Sequence, residues 1–194
     1  MIKITTPILA FMLAVLALPL FANPKPGGPW KPSAAALKQL MPAPNTSGFT
    51  VMCPKGYQYQ TTNGPDGMTL FAWVSPPRAD SSHGMLMMTQ VTIPPDEANK
   101  YTLPQILTKF LGGEQRRRNA WSESAPESGT INNVTFCRAY WEGTDKTTGK
   151  ALGGLMYVAL SGNKAYVLAS QDTLPANQAA LSLAEQSILT FHVK

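Results

Sequence analysis

Residues 153–170 read GGLMYVALSGNKAYVLAS, and this stretch decides the fold. Two apolar runs, 153–161 and 163–170, lie on either side of the turn Ser161-Gly162-Asn163, which is typical of a tight antiparallel hairpin. Both runs are apolar at consecutive positions, so both of their faces need cover. The stretch therefore predicts two neighbouring strands inside an antiparallel sheet.

Helical patterns lie before and after this hairpin. In residues 101–113, YTLPQILTKFLGG, apolar residues recur with the spacing of an amphipathic helix that begins near Thr102 and ends at Gly112-Gly113. Residues 172–191 carry a second apolar stripe. Further extended segments are expected at 49–53, 68–74, 85–93, 120–126 and 130–144. The sequence thus predicts an α+β domain, a mainly antiparallel β-sheet flanked by two main helices in an α/β/α sandwich.

The start of the chain predicts export. Residues 1–22 combine Lys3, an apolar run at 8–18 and Ala22 before the expected cleavage point, the layout of a secretory signal peptide. The run is short for a spanning helix, so we expect no transmembrane helix in the mature chain and a periplasmic or secreted location. Residues 23–47 are rich in proline and glycine and predict a flexible leader ahead of a single domain at 48–194.

The two cysteines favour a structural bond. Cys53 and Cys137 make an even count in an exported chain, and each lies on the apolar face of an expected strand. We therefore predict a disulfide between them. The alternative is a cryptic thiol-dependent enzyme that uses Cys137 or Cys53 with a histidine base, because such partners need not be close in sequence.

Basic and aromatic residues supply the candidate binding positions. The net charge is +5, and the most concentrated charge is Arg116-Arg117-Arg118, which would suit an acidic partner or lipid head groups. Arg138 and Tyr140 face away from Cys137 on the same expected strand and are further candidates. We interpret the methionines at 85, 87 and 88 as core filling. The histidines and cysteines lack the close spacing of zinc motifs, so we expect no metal and no cofactor.

The order of elements resembles a known fold family. The strand and proline turn FTVMCPKGYQ at 49–58, the mid-chain helix and the closing pattern from YVALSGNKAYVLASQD to AEQSILTF resemble the Mog1/PsbP-like fold, including bacterial exported DcrB-like relatives. The resemblance covers about 47–193. It implies accessory or adaptor proteins without a shared catalytic set.

Residues and resemblance together predict an exported, non-enzymatic accessory or binding protein of the cell envelope. Its expected partner is a protein or an envelope component. Nucleic acid is not expected, because the chain is exported and has no interleaved stacking motif for single strands.

Overall fold

The computed structural model describes residues 28–43, 46, 48–64, 68–94 and 100–194. The predicted signal peptide, residues 1–22, lies outside the described residues. The helices within these ranges are α1 (Ala34–Leu37), α2 (Leu103–Gln115) and α3 (Gln178–Ile188). The strands are β1 (Leu40–Pro42), β2 (Phe49–Thr50), β3 (Met52–Pro54), β4 (Gln58–Asn63), β5 (Thr69–Val74), β6 (Met85–Thr92), β7 (Arg118–Glu123), β8 (Glu127–Ile131), β9 (Val134–Asp145), β10 (Ala151–Ser161), β11 (Lys164–Thr173) and β12 (His192–Val193).

The central sheet has eight strands in the order β4-β5-β6-β11-β10-β9-β7, and β8 also pairs with β9. All of its neighbouring strands are antiparallel. The hairpin of β10 and β11 lies in its middle, paired from Leu152↔Thr173 to Ser161↔Lys164, with Gly162 at φ +58° in the turn. The predicted antiparallel α+β fold is confirmed.

A second hairpin divides the segment that the sequence predicts as one strand at 130–144. Asn132 and Asn133 have φ values of 45° and 67°, and the flanking residues Ile131 and Val134 pair with each other. Asparagine tolerates this left-handed backbone, so two consecutive asparagines can form a two-residue hairpin turn. The segment therefore forms the end of β8 and most of β9.

Alternate residues of the central strands point to opposite layers. On β9 and β10, Phe136 and Tyr157 belong to the core cluster beneath α3, whereas Ala139 and Val158 belong to the cluster beneath α2. The α3 layer also contains two short ribbons, β1 with β3 and β2 with β12. The sheet thus has a core on each face, and α3 and the ribbons cover the larger one.

Helix α2 covers the other face only in part. It packs on β7, β9 and β10 through Leu107 and Leu111, which are both buried. The helix begins after Thr102, as predicted. Thr102 N–H donates to Gln105 Oε1 at 2.9 Å at this end. The glycines predicted to end the helix lie inside it, because the backbone continues in helical hydrogen bonding to Arg116 N–H, which donates to the Gly112 carbonyl at 3.4 Å. The last turn is also held by the ion pair of Arg118 with Glu114, 3.2 Å apart.

Residues 28–42, hereafter the strap, lie against the domain. The sequence predicts a flexible leader here, yet Ala36 and Leu40 of the strap are 7% and 3% exposed. Its β1 pairs with β3, and Ser33 N–H donates to Gln186 Oε1 of α3 at 2.7 Å. Apolar side chains spaced along a proline-rich segment suffice to dock it. The boundaries at 22 and 47 stay predictions, because residues 1–27, 44, 45 and 47 lie outside the described residues.

Candidate functional site

The two thiols are free and lie on opposite faces of the central sheet. Cys53 belongs to the core cluster beneath α3 and Cys137 to the cluster beneath α2. The predicted disulfide is therefore wrong in this structure. The sequence shows that each cysteine shares the apolar side of its strand, but not which layer that side faces.

The thiols also lack the setting of a nucleophile. Burial raises the pKa of Cys137 and of Cys53, which disfavours the thiolate form that attacks a substrate. In the described part of the chain no hydrogen bond joins either thiol to His83 or His192, and both histidines are exposed. The geometry gives the thiol-enzyme alternative no support.

The structure separates the predicted arginine triplet. Arg116 and Arg117 are exposed after α2, and the Arg117 side chain is 72% exposed with Glu114 at 3.7 Å. The Arg118 side chain is 4% exposed. Arg118 starts β7, and the alternation of that strand turns its side chain inward. The triplet is therefore not one basic surface.

Arg118 connects three elements. Its guanidinium contacts Glu114 of α2 and Asp145 of β9, both at 3.2 Å, and donates to Gln171 Oε1 of β11 at 2.9 Å. It also lies 5.3 Å from the centre of the Trp141 ring. With its charge paired inside the protein, Arg118 holds α2 against the sheet.

Arg138 forms a second buried network on the opposite face. Its side chain is 1% exposed and donates to Glu127 Oε2 at 2.9 and 3.0 Å and to Tyr157 Oη at 3.0 Å. The strap closes this site, since Trp30 lies 4.1 Å from the guanidinium carbon and the Gly28 carbonyl accepts from Arg138 at 3.0 Å. Arg138 thus fixes the strap to the sheet and has no free face for an outside ligand.

Tyr140 belongs to the same network. Glu185 of α3 accepts hydrogen bonds from Tyr140 and, at 2.6 Å, from Tyr157. Burial and the Glu185 carboxylate raise the pKa of both phenols. The predicted candidates Arg138 and Tyr140 are brought together, but as an internal link between α3, the sheet and the strap.

One partly exposed apolar surface was not predicted from the sequence. On the α2 side of β5 and β6, no described helix makes extensive contact with the strands, and the side chains there are small or apolar and mostly partly exposed. We name this surface the open face. It comprises Leu70, Ala72, Val74, Met85, Met87 and Val91. The core-filling interpretation of the methionines holds for Met88, which is 1% exposed on the other face, but not for Met85 and Met87.

A groove runs along the boundary between α2 and the open face. At one end it encloses about 240 Å³ between Val91 and Ile93 on one side and Ile106 and Phe110 of α2 on the other. Lys109 lies at its rim, and its described lining contains no carboxylate. The groove joins an apolar floor to a cationic edge.

A second exposed cation lies further along α2. Lys109 and Arg116 are seven residues apart, which places them on the same side of a helix. Both are exposed, and neither side chain pairs with a carboxylate in the described part of the chain. A sequence signal existed in this i, i+7 spacing, but the sequence does not reveal that Lys109 lines a groove beside an uncovered sheet face.

In the described ranges no three His, Cys, Asp or Glu side chains form a group able to hold a metal ion. In the same ranges no helix is long and apolar enough to cross a membrane.

Comparison with known proteins gives the fold. No protein-family model and no curated protein sequence matches the chain. The structure is similar to that of cyanobacterial PsbP (CyanoP) from Synechocystis sp. PCC 6803, with a TM-score of 0.60 and 14% identity over 80% of this chain and 93% of that chain. It is also similar to LpqN of Mycobacterium tuberculosis, described as involved in cell envelope biogenesis, with a TM-score of 0.53 and 13% identity over 80% of this chain and 91% of that chain. At such identities the likeness concerns the fold, and the chain adopts the Mog1/PsbP-like fold that its sequence pattern resembles.

Proposed function

We propose that this chain is an exported, non-enzymatic binding protein of the cell envelope, and that it binds a partner protein through the open face. The observation that carries the proposal is the open face itself. Surfaces of this kind, partly exposed, apolar and continuous with a groove, mark binding sites more often than isolated exposed residues do. Here the sheet supplies a rigid apolar floor and α2 supplies an apolar side wall with Lys109 at its rim.

The titratable side chains of the interior support binding over catalysis. Arg118 and Arg138 are each held by carboxylates from other elements, so they join parts of the fold. Export is supported by the signal-peptide pattern of residues 1–22. An envelope role is in keeping with what is described for LpqN, a protein of the same fold.

Site-specific photo-crosslinking in the source cells tests the binding surface. A photoreactive amino acid in place of Met87 should give a discrete adduct with one envelope protein, and the full-length chain carrying Met87→Glu should fail to compete for it while wild type competes. The matched control is the same photoreactive group in place of Met41, which is 43% exposed on the strap side. Equal adducts from both positions, or none from position 87, would contradict the proposal.

Fractionation tests the location separately. We expect the mature chain in the periplasmic or secreted fraction with an amino terminus at Asn23, measured by intact mass. A chain that keeps Met1 and stays in the cytoplasm would refute export whatever the outcome of crosslinking.

A further inference from the structure

We propose that the partner element is an acidic amphipathic helix that lies beside α2 on the open face, with its carboxylates against Lys109 and Arg116. This inference rests on the proposed function, because it assigns the chemistry of the segment that the open face binds. Three independent features of the described structure point to it: the width of the uncovered sheet, the shape of its floor and the row of cations on one side of α2.

The uncovered width fits one helix. Helix α2 packs on β7, β9 and β10, and the core beneath it extends to Val167 of β11, which leaves β5 and β6 without extensive helix cover on that face in the described part of the chain. Two strands spaced about 4.8 Å apart present a strip roughly 10 Å wide. A helix with its side chains is about 10–12 Å across, so one additional helix would complete the layer that α2 begins.

The floor suits the apolar stripe of a helix. Met85, Met87 and Val91 project from the same face of β6 over roughly 20 Å, which is also about the length of α2. Methionine adapts its shape to different partners and is common at surfaces that bind helices. Ile106 and Phe110 form the side wall that separates such a helix from the core beneath α2.

The charges indicate an acidic partner. Lys109 lines the groove, Arg116 lies two turns further along the same side of α2, and neither side chain pairs with a carboxylate in the described part of the chain. Glu114, the acidic residue of α2 beside them, is held by Arg117 and Arg118. A partner helix with carboxylates seven residues apart would meet both cations at once, which sets its position along α2.

A second copy of this chain does not offer such a helix. The described helices contain two acidic residues, Glu114 in α2 and Glu185 in α3. Both are engaged within the chain, Glu114 by arginines and Glu185 by Tyr157 at 2.6 Å. The occupant is therefore expected to come from a different protein.

Charge exchange with synthetic peptides tests the inference. The probe is a peptide of about 18 residues with a Leu/Ile stripe and two glutamates seven residues apart, and its counterpart has lysines at those positions. The glutamate peptide should shift the amide resonances of Met87 and Val91 in full-length protein. The double variant Lys109→Glu, Arg116→Glu should weaken its binding roughly tenfold and strengthen that of the lysine peptide.

The matched control is Lys31→Glu, Lys38→Glu, which makes the same charge change on the strap. This control should leave the affinities of both peptides nearly unchanged, so an equal loss would mean that net charge alone attracts the peptide. Resonance dispersion in each variant verifies folding before affinities are compared.

The remaining outcomes separate this inference from the proposed function. If position 87 crosslinks to an envelope protein but charge exchange does not change the binding of the peptides, the inference of an acidic partner helix is contradicted. Binding through the open face is then still supported. Concentration-dependent self-association with crosslinks from position 87 would identify a second copy as the occupant and overturn the inference. If neither peptide binds and position 87 gives no adduct, both proposals fail.

Discussion

Arg138 shows how one buried charge can join three parts of a fold. It is 1% exposed, pairs with Glu127 of β8 and lies 3.6 Å from Glu185 of α3, while Trp30 of the strap covers it. Taking such a charge out of water is costly unless every donor is used. Because carboxylates, a phenol and a carbonyl satisfy Arg138, it contributes to a unique arrangement of strap, sheet and helix.

Removal of the Arg138 charge should therefore destabilise the folded protein. Arg138→Met leaves Glu185 partly buried without its cation, so we expect the free energy of unfolding to fall by about 3 kcal/mol. Urea denaturation followed by tryptophan fluorescence measures the change. Arg117→Met, which removes an arginine whose side chain is 72% exposed, should cost less than about 0.5 kcal/mol. Equal costs would show that the buried network adds no stability.

The cysteines give a prediction with no dependence on function. Because both thiols are free and buried, neither should react with an alkylating reagent in the native protein. Both should react in unfolded protein that has not been treated with a reductant. The number of adducts is measured by mass spectrometry. Two unreactive cysteines under those conditions would contradict the free thiols and support the predicted disulfide.

The phenols near Glu185 predict a loss of stability in alkali. Their pKa values are raised by burial and by the carboxylate, and an unfolded tyrosine has a pKa of about 10. A raised pKa in the folded state stabilises the protein below about pH 10, and this contribution is lost as pH rises towards the folded value. The free energy of unfolding should therefore fall more steeply between about pH 9 and 11 in wild type than in Tyr157→Phe. The same pH dependence of the free energy of unfolding in both proteins would contradict a raised pKa of Tyr157.

At the scale of elements, the strap depends on a glycine of β8. A methyl group at Gly129 would overlap the Trp30 ring. Trp30 also makes an edge contact with Tyr157, with ring centres 5.7 Å apart. A position without a side chain on β8 therefore provides the space in which the strap docks.

Gly129→Ala should release the strap without unfolding the domain. We expect faster amide hydrogen exchange over residues 28–42 and unchanged exchange in β10 and β11. Gly112→Ala is the control, because its added methyl group would meet nothing within 4 Å. In a Trp30→Ala background the Gly129→Ala change should have little further effect, and an undiminished effect would show that the clash lies elsewhere.

At the scale of the whole molecule, the two faces of the sheet are covered unequally. Helix α3, the strap and the short ribbons cover one face, whereas the α2 layer covers the β7–β9–β10–β11 side of the other and leaves β5 and β6 without extensive cover by a described helix. An eight-stranded sheet is too wide for one helix to cover. The open face follows from this difference.

The unequal cover should be visible without a partner. A dye that fluoresces on exposed apolar surface should bind the native protein, and Met87→Glu should reduce its fluorescence, because a charge then lies in the middle of the open face. Met41→Glu should leave the fluorescence nearly unchanged. Equal dye fluorescence in wild type and Met87→Glu would mean that the dye does not bind at the open face.

The sequence by itself determined the local elements. Apolar residues at helical spacing predicted α2, and the run around Ser161-Gly162-Asn163 predicted the central hairpin, because both patterns depend on contacts between residues close in the chain. These elements in this order were enough for the resemblance to the Mog1/PsbP-like fold. Positions such as the arginine triplet could also be found, but not their surroundings.

The tertiary structure alone decided which layer each face meets. It placed Cys53 and Cys137 on opposite sides of the sheet, turned Arg118 inward while Arg116 stays in solvent, and left Met87 partly exposed where core filling is predicted. The physical reason is that strand alternation specifies two faces without saying which neighbour covers them, since cover comes from residues distant in sequence. The site of proposed binding is thus a property of how the layers assemble.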